Sequence, residues 1–287
     1  LTVDLVQNPD DYLEILLVTD SGEPIRRTLP NVTRADVQAQ AAGLITQVTD
    51  PRRTSFSGYL SYSQQLYDWF IAPIEADLED RKIDNLSFIM DTGLRSLPIA
   101  ALHDGESFLV EKYSLGLMPT LALTDTRYRD IRDAKILAMG ASTFADQNPL
   151  PAVPIELSTI TREWDGVSFL NEDFTPANLI AQRESNPYSI VHLATHGEFR
   201  PGDPSNSYIA FENQRLQMDQ LRSLQLNDPP VDLLVLSACR TALGDKEAEL
   251  GFAGFALQAG VKSVLASLWY VSDLGTLGFM SEFYHQL

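Results

Sequence analysis

The feature that most restricts the fold of this chain is a series of short, nearly continuous apolar runs in its second half. They are Ala134-Lys-Ile-Leu-Ala-Met-Gly140, Val167-Ser-Phe-Leu170, Ser189-Ile-Val-His-Leu-Ala-Thr195, Val231-Asp-Leu-Leu-Val-Leu-Ser-Ala238 and Ser263-Val-Leu-Ala-Ser-Leu268. A strand with one wet face alternates apolar and polar residues, so runs of Val, Ile and Leu without that alternation read as strands buried on both faces. Helical patterns lie between them. One covers about 155–164, and one opens at Thr175 with Pro176 in the first helical position. Another covers about 249–259 and stops at Gly260, and the last runs from Leu274 to Leu287. Strands alternating with helices predict an α/β fold, a mostly parallel central sheet with helices on both faces.

The first half reads differently. Residues 13–29 pattern as a hairpin turning at Asp20-Ser-Gly. Helices are predicted over 33–48, with Thr33 as cap, and over 58–78. A strand through Leu86–Met90 leads to a turn at Asp91-Thr-Gly, and a strand and a helix are predicted within 107–128. A charged stretch, Thr124 to Asp133, separates the halves and places a boundary near 125–133, giving domains 1–128 and 129–287. The chain opens on Leu1 and ends inside the last helical pattern, so it reads as a fragment truncated at its C-terminus.

With 39 acidic and 21 basic residues the formal net charge is -18. Such a balance argues against binding a nucleic-acid backbone and is compatible with cationic partners. No charge-free apolar stretch of about 18 residues occurs, so no membrane span is predicted. The single cysteine excludes an internal disulfide and favours a reducing compartment, the cytoplasm. One Cys and scattered His supply no zinc ligand set, and there is no Gly-rich phosphate loop; no cofactor is predicted.

Two of the apolar runs end in reactive side chains. One leads into His196-Gly197-Glu198, the other into Cys239-Arg-Thr. In a parallel sheet the C-terminal strand ends share one edge, where α/β proteins build their sites. A thiol there becomes a nucleophile when an imidazole takes its proton. Gly197 permits close approach of a substrate to its N–H, which with the Cys239 N–H makes a candidate oxyanion hole. His192, inside its strand, reads as structural.

The blocks His196-Gly-Glu and Ala238-Cys-Arg resemble the two signature blocks of caspase-like cysteine peptidases. The finer similarity is to the CHAT domain, a caspase-like domain often attached to tetratricopeptide repeats in bacteria. Five segments carry it: Asp91–Leu102, Val191–Gly197, Leu234–Ala242, Gly251–Gly260 and Val264–Asp273. The resemblance implies a caspase-like three-layer sandwich preceded by a degenerate, non-catalytic companion half. It implies peptide-bond hydrolysis in a specific protein substrate, with Cys239 as nucleophile and His196 as base, gated by a partner or a flanking region. A tetratricopeptide-repeat region or an activator protein is the partner it suggests. The chain departs from the family at Tyr270, where proline is common, and at Ser272, where an acid is frequent. A catalytically silent CHAT-like scaffold is the alternative.

By the same resemblance the segment Ser267-Leu-Trp-Tyr-Val-Ser-Asp273 lines the substrate groove. Trp269 is its expected wall, Ser267 a substrate contact, and Asp273 the best acid for a basic side chain, with Glu198, Asp232 and Asp245 as further candidates. Asp273 is open to a second reading as a helix cap. The polar loop 242–250 beyond Cys239 is expected to reshape on activation or substrate binding.

Overall fold

The computed structural model describes residues 8–50, 58–118, 127, 129–198, 204–238, 251–269 and 271–287. They form two compact units that divide after Met118.

In the first unit, β1 (Tyr12–Leu17) and β2 (Ile25–Thr33) pair as an antiparallel hairpin. Thr33 ends β2 and caps α1 (Arg34–Thr49): its hydroxyl accepts the Asp36 N–H while the Asp36 carboxylate accepts the Thr33 N–H. The helix predicted over 58–78 is broken. Pro73 cannot continue it, because its nitrogen has no hydrogen and its ring crowds the preceding turn. The chain therefore makes α2 (Leu60–Phe70), a 3-10 turn over Ala72–Ile74 and α3 (Glu75–Asp80). Then follow β3 (Asn85–Phe88), α4 (Leu109–Lys112) and β4 (Ser114–Leu117), with β3 and β4 parallel. Leu44, Leu66, Ile71, Leu78 and Leu102 are fully buried in one core.

The second unit is the predicted three-layer α/β sandwich. Its elements are β5 (Ile136–Gly140), α5 (Val153–Glu163), β6 (Gly166–Leu170), α6 (Pro176–Ser185) and β7 (Ile190–Ala194). A small antiparallel sheet of β8 (Gly197–Glu198), β9 (Tyr208–Phe211) and β10 (Gln214–Gln217) comes next. The unit closes with β11 (Leu233–Ser237), α7 (Gly251–Gln258), β12 (Ser263–Ala266) and α8 (Asp273–Gln286). The central sheet is parallel throughout, in the order β12-β11-β7-β5-β6.

Strand periodicity splits the apolar runs between two cores. Leu137, Met139, Val191, Leu193, Leu234 and Leu236 face one layer, shared with Leu179 of α6 and Ala256 of α7. Ile136, Ala138, Ile190, Ala194, Leu233 and Val235 face the other, with Val153, Leu157 and Ile160 of α5 and Met280 of α8. Each Val, Leu, Ile or Met among them contributes roughly 1.5–3 kcal/mol by leaving water, and burial on both faces is why the runs show no polar alternation. Right-handed crossovers explain the layering: β5 to β6 and β6 to β7 run in opposite directions across the sheet, so α5 and α6 fall on opposite faces.

That reversal puts the topological switch between β5 and β7, at the end of the sheet carrying Gly140 and Ala194. A Cβ on Gly140 would stand 2.4 Å from the Ala194 carbonyl oxygen and 2.8 Å from Val153 Cγ1. Gly140→Ala should therefore force the two strand tips apart and cost about 1–3 kcal/mol, read as a lower midpoint in urea denaturation.

Candidate active site

At the end of β7 the chain is fixed by Thr195. Its N–H donates to the Ser237 carbonyl at 3.2 Å and its hydroxyl to the Ala210 carbonyl at 2.6 Å. His196, half-buried, follows directly and accepts the Ala210 N–H on its own carbonyl at 2.9 Å. That bond makes 196 a hydrogen-bonded position of the β8–β9 ladder. Gly197, opposite Ile209, is then a non-bonded position, with its N–H turned away from β9.

The His196 ring is held on two sides. Its Nε2 lies 2.7 Å from the Asn148 carbonyl oxygen, and its ring packs against the Phe144 ring, tilted at 56° with 4.6 Å between centroids. A carbonyl can only accept, so Nε2 carries the hydrogen and Nδ1 keeps its lone pair for a proton. Neither Phe144 nor Asn148 stands out in the sequence. Both belong to the loop 141–152, and any residue there would offer a carbonyl. The same loop is tied down by the Asp146–Arg215 ion pair, and Arg215 stacks over the Tyr208 ring at 4.5 Å.

The neighbouring strand β11 runs in register with β7, Ser237 opposite Ala194. Cys239 follows Ser237 by the same two residues by which His196 follows Ala194, but it lies outside the described residues, as do Asp245, the loop 242–250 and Tyr270. Ala238 is described and nearly buried, and its carbonyl accepts the Ser267 hydroxyl at 2.5 Å.

The predicted groove residues separate. Glu198 lies beside His196 on β8 and accepts the Tyr208 hydroxyl at 3.0 Å. Trp269 and Ser267 are half-buried just beyond β12. Asp273 sits at the start of α8, but its carboxylate is engaged: Oδ2 accepts the Ala152 N–H at 2.8 Å, at the head of α5, where the helix dipole favours a negative charge. Capping of α8 itself falls to Ser272, whose Oγ accepts the Gly275 N–H. Asp232 has to be removed from the groove. It precedes β11, at the opposite edge of the sheet, roughly 17 Å of strand away, and pairs there with Arg129 at 3.2 Å. Its position before an apolar run reads the same in sequence whichever strand end carries the site.

His192 is fully buried and structural. Nε2 is 3.0 Å from Glu156 Oε1 of α5, and Nδ1 shares a hydrogen bond with the Tyr284 hydroxyl of α8 at 3.0 Å. Burial, and then the Glu156 charge, hold the Tyr284 hydroxyl protonated well above the usual tyrosine range. Among the described residues no group of His, Cys, Asp and Glu is arranged to hold a metal ion. No described helix is long and apolar enough to cross a membrane.

A family model, the CHAT domain, matches residues 60–287. The chain belongs to the CHAT domain family. The match covers the whole second unit and reaches back into the first as far as the start of α2. CHAT domains are related to the caspase-like cysteine peptidases, and the parallel sandwich of the second unit is of that class. A comparison with curated proteins found no match for the chain.

Proposed function

We propose that this CHAT domain is a cysteine endopeptidase acting through Cys239 and His196. The observation that carries the reading is the anchoring of His196 Nε2 on the Asn148 carbonyl, at the tip of the strand beside the one that leads into Cys239. It fixes the tautomer in which Nδ1 is the base. In this mechanism Nδ1 takes the thiol proton and the thiolate attacks the scissile carbonyl carbon. The N–H groups of Gly197 and Cys239 receive the negative charge that develops on its oxygen. The imidazolium then gives its proton to the leaving amine as the C–N bond breaks, leaving a thioester. Water, deprotonated by the same imidazole, attacks the thioester and restores the thiol.

Trp269 is proposed as a wall of the substrate groove, with Glu198 as the remaining described acid beside the dyad for a basic side chain. The acidic net charge favours encounter with cationic segments of a protein substrate. A repeat region or activator protein is the proposed gate, and the reducing cytoplasm the proposed setting for the lone thiol.

The test is alkylation of Cys239 by iodoacetamide as a function of pH, in the native protein and in His196→Ala. A native thiol that reacts well below the free-thiol range near 8.5, and moves into that range in the variant, is expected. Two identical profiles would overturn the dyad and leave a CHAT domain acting as an interaction module.

A further inference from the structure

We infer that Ser267 is a positioning residue of the nucleophile strand, acting through the Ala238–Cys239 peptide and not through contact with substrate. The inference rests on the peptidase reading for its catalytic consequence, but the bond itself does not.

The carbonyls of β11 alternate in direction. Asp232 directs its carbonyl to β12, accepting the Ser263 N–H at 3.0 Å, while Ser237 directs its own to β7, accepting the Thr195 N–H. By that alternation the Ala238 carbonyl belongs to the β12 side. There the ladder has ended: β12 stops at Ala266, opposite Leu236. The hydroxyl of Ser267, the next residue, takes over as donor and reaches the Ala238 oxygen at 2.5 Å.

A planar trans peptide points its N–H opposite its C=O. Whatever fixes the Ala238 carbonyl therefore fixes the direction of the N–H that follows, which belongs to Cys239 and which the mechanism uses for the oxyanion. Donation to the carbonyl also polarises the amide and strengthens its N–H as a donor. A preorganised oxyanion donor acts on the transition state far more than on bound substrate, so its disturbance appears in kcat.

Hydrogen exchange of the 234–240 segment and steady-state kinetics on a cleaved peptide test this in Ser267→Ala, Ser267→Thr and Ser267→Val. The last two share a shape and differ by a hydroxyl, so they remain informative if the alanine variant folds poorly. Loss of the hydroxyl is expected to speed amide exchange in the segment about tenfold. It should also lower kcat by about 10–100-fold with KM within twofold, while threonine restores both. Unchanged exchange without the hydroxyl, a threonine variant as impaired as valine, or a raised KM at constant kcat would overturn the inference; the last would make Ser267 a substrate contact. If the native chain cleaves no peptide, the peptidase reading fails by itself, and the exchange contrast still decides whether the hydroxyl holds the strand.

Discussion

His196→Ala is expected to lower kcat/KM by on the order of 10³-fold or more, and Cys239→Ala to abolish turnover. Removing the nucleophile removes the covalent route altogether. Removing the base leaves a thiol that is mostly protonated at neutral pH and an amine that must depart without a proton, each costing about two decades or more. The two losses should not add in the double variant, because neither residue functions without the other. Phe144→Ala provides a graded companion. It leaves both reactive groups in place but removes the ring packed against the imidazole. About a tenfold loss in kcat is expected, since a base that samples other orientations spends less time aligned. Substituting the Asn148 side chain should matter less, because the contact to His196 is made by its main-chain carbonyl. Steady-state kinetics over pH 5–9 would measure all five. An Asn148→Ala loss as large as that of His196→Ala would contradict the assignment of Nδ1 as the base.

Glu156→Ala should destabilise the second unit by about 3 kcal/mol, a fall of roughly 6–12 °C in melting temperature for a unit of this size. Glu156 and His192 are both buried, 2% and 0% exposed, so the variant takes the carboxylate away from an imidazole nitrogen 3.0 Å from it that is itself fully buried. The effect comes from breaking the set and not from polarity as such. A paired Glu156→Leu, His192→Leu variant should recover much of the loss, since apolar residues of similar volume suit a buried site as well. Tyr284 adds a pH signature. Its hydroxyl titrates higher in the folded state than in the unfolded chain, near 10. The fold thus keeps a proton that the unfolded chain releases. That stability is fully present below pH 10 and is lost as pH rises above it. Tyr284→Phe removes the group, so its stability should fall less steeply above pH 10 than that of the native chain, as urea midpoints across that range would show.

Elements whose role is written in their own residues are legible in the sequence alone. Val, Ile and Leu without polar alternation in β5, β7 and β11 mark strands buried on both faces, and both faces are indeed packed. Thr33 and Thr175 mark helix starts, and both accept an N–H from the first turn. Pro73 is legible in principle, yet the apolar spacing of 58–78 outweighs it and hides the break. Asp232 and Asp273 mark a different boundary. A carboxylate next to an apolar run carries no sign of which strand end it occupies or which N–H it will meet. Only the fold sends Asp232 to Arg129 and Asp273 to the head of α5.

By itself the sequence determined the alternation of strand and helix, the two reactive residues at the ends of apolar runs, and the family. Each of these is local, carried by side-chain type at fixed spacing. The tertiary structure decided that β7 and β11 are neighbours in register, that a main-chain carbonyl from a featureless loop orients His196, and that the Ser267 hydroxyl ends on the carbonyl before Cys239. Those two hydrogen bonds join residues 48 and 29 positions apart. Main-chain atoms, which every residue possesses, supply one partner in each hydrogen bond, so they leave no mark in the sequence until the chain is folded.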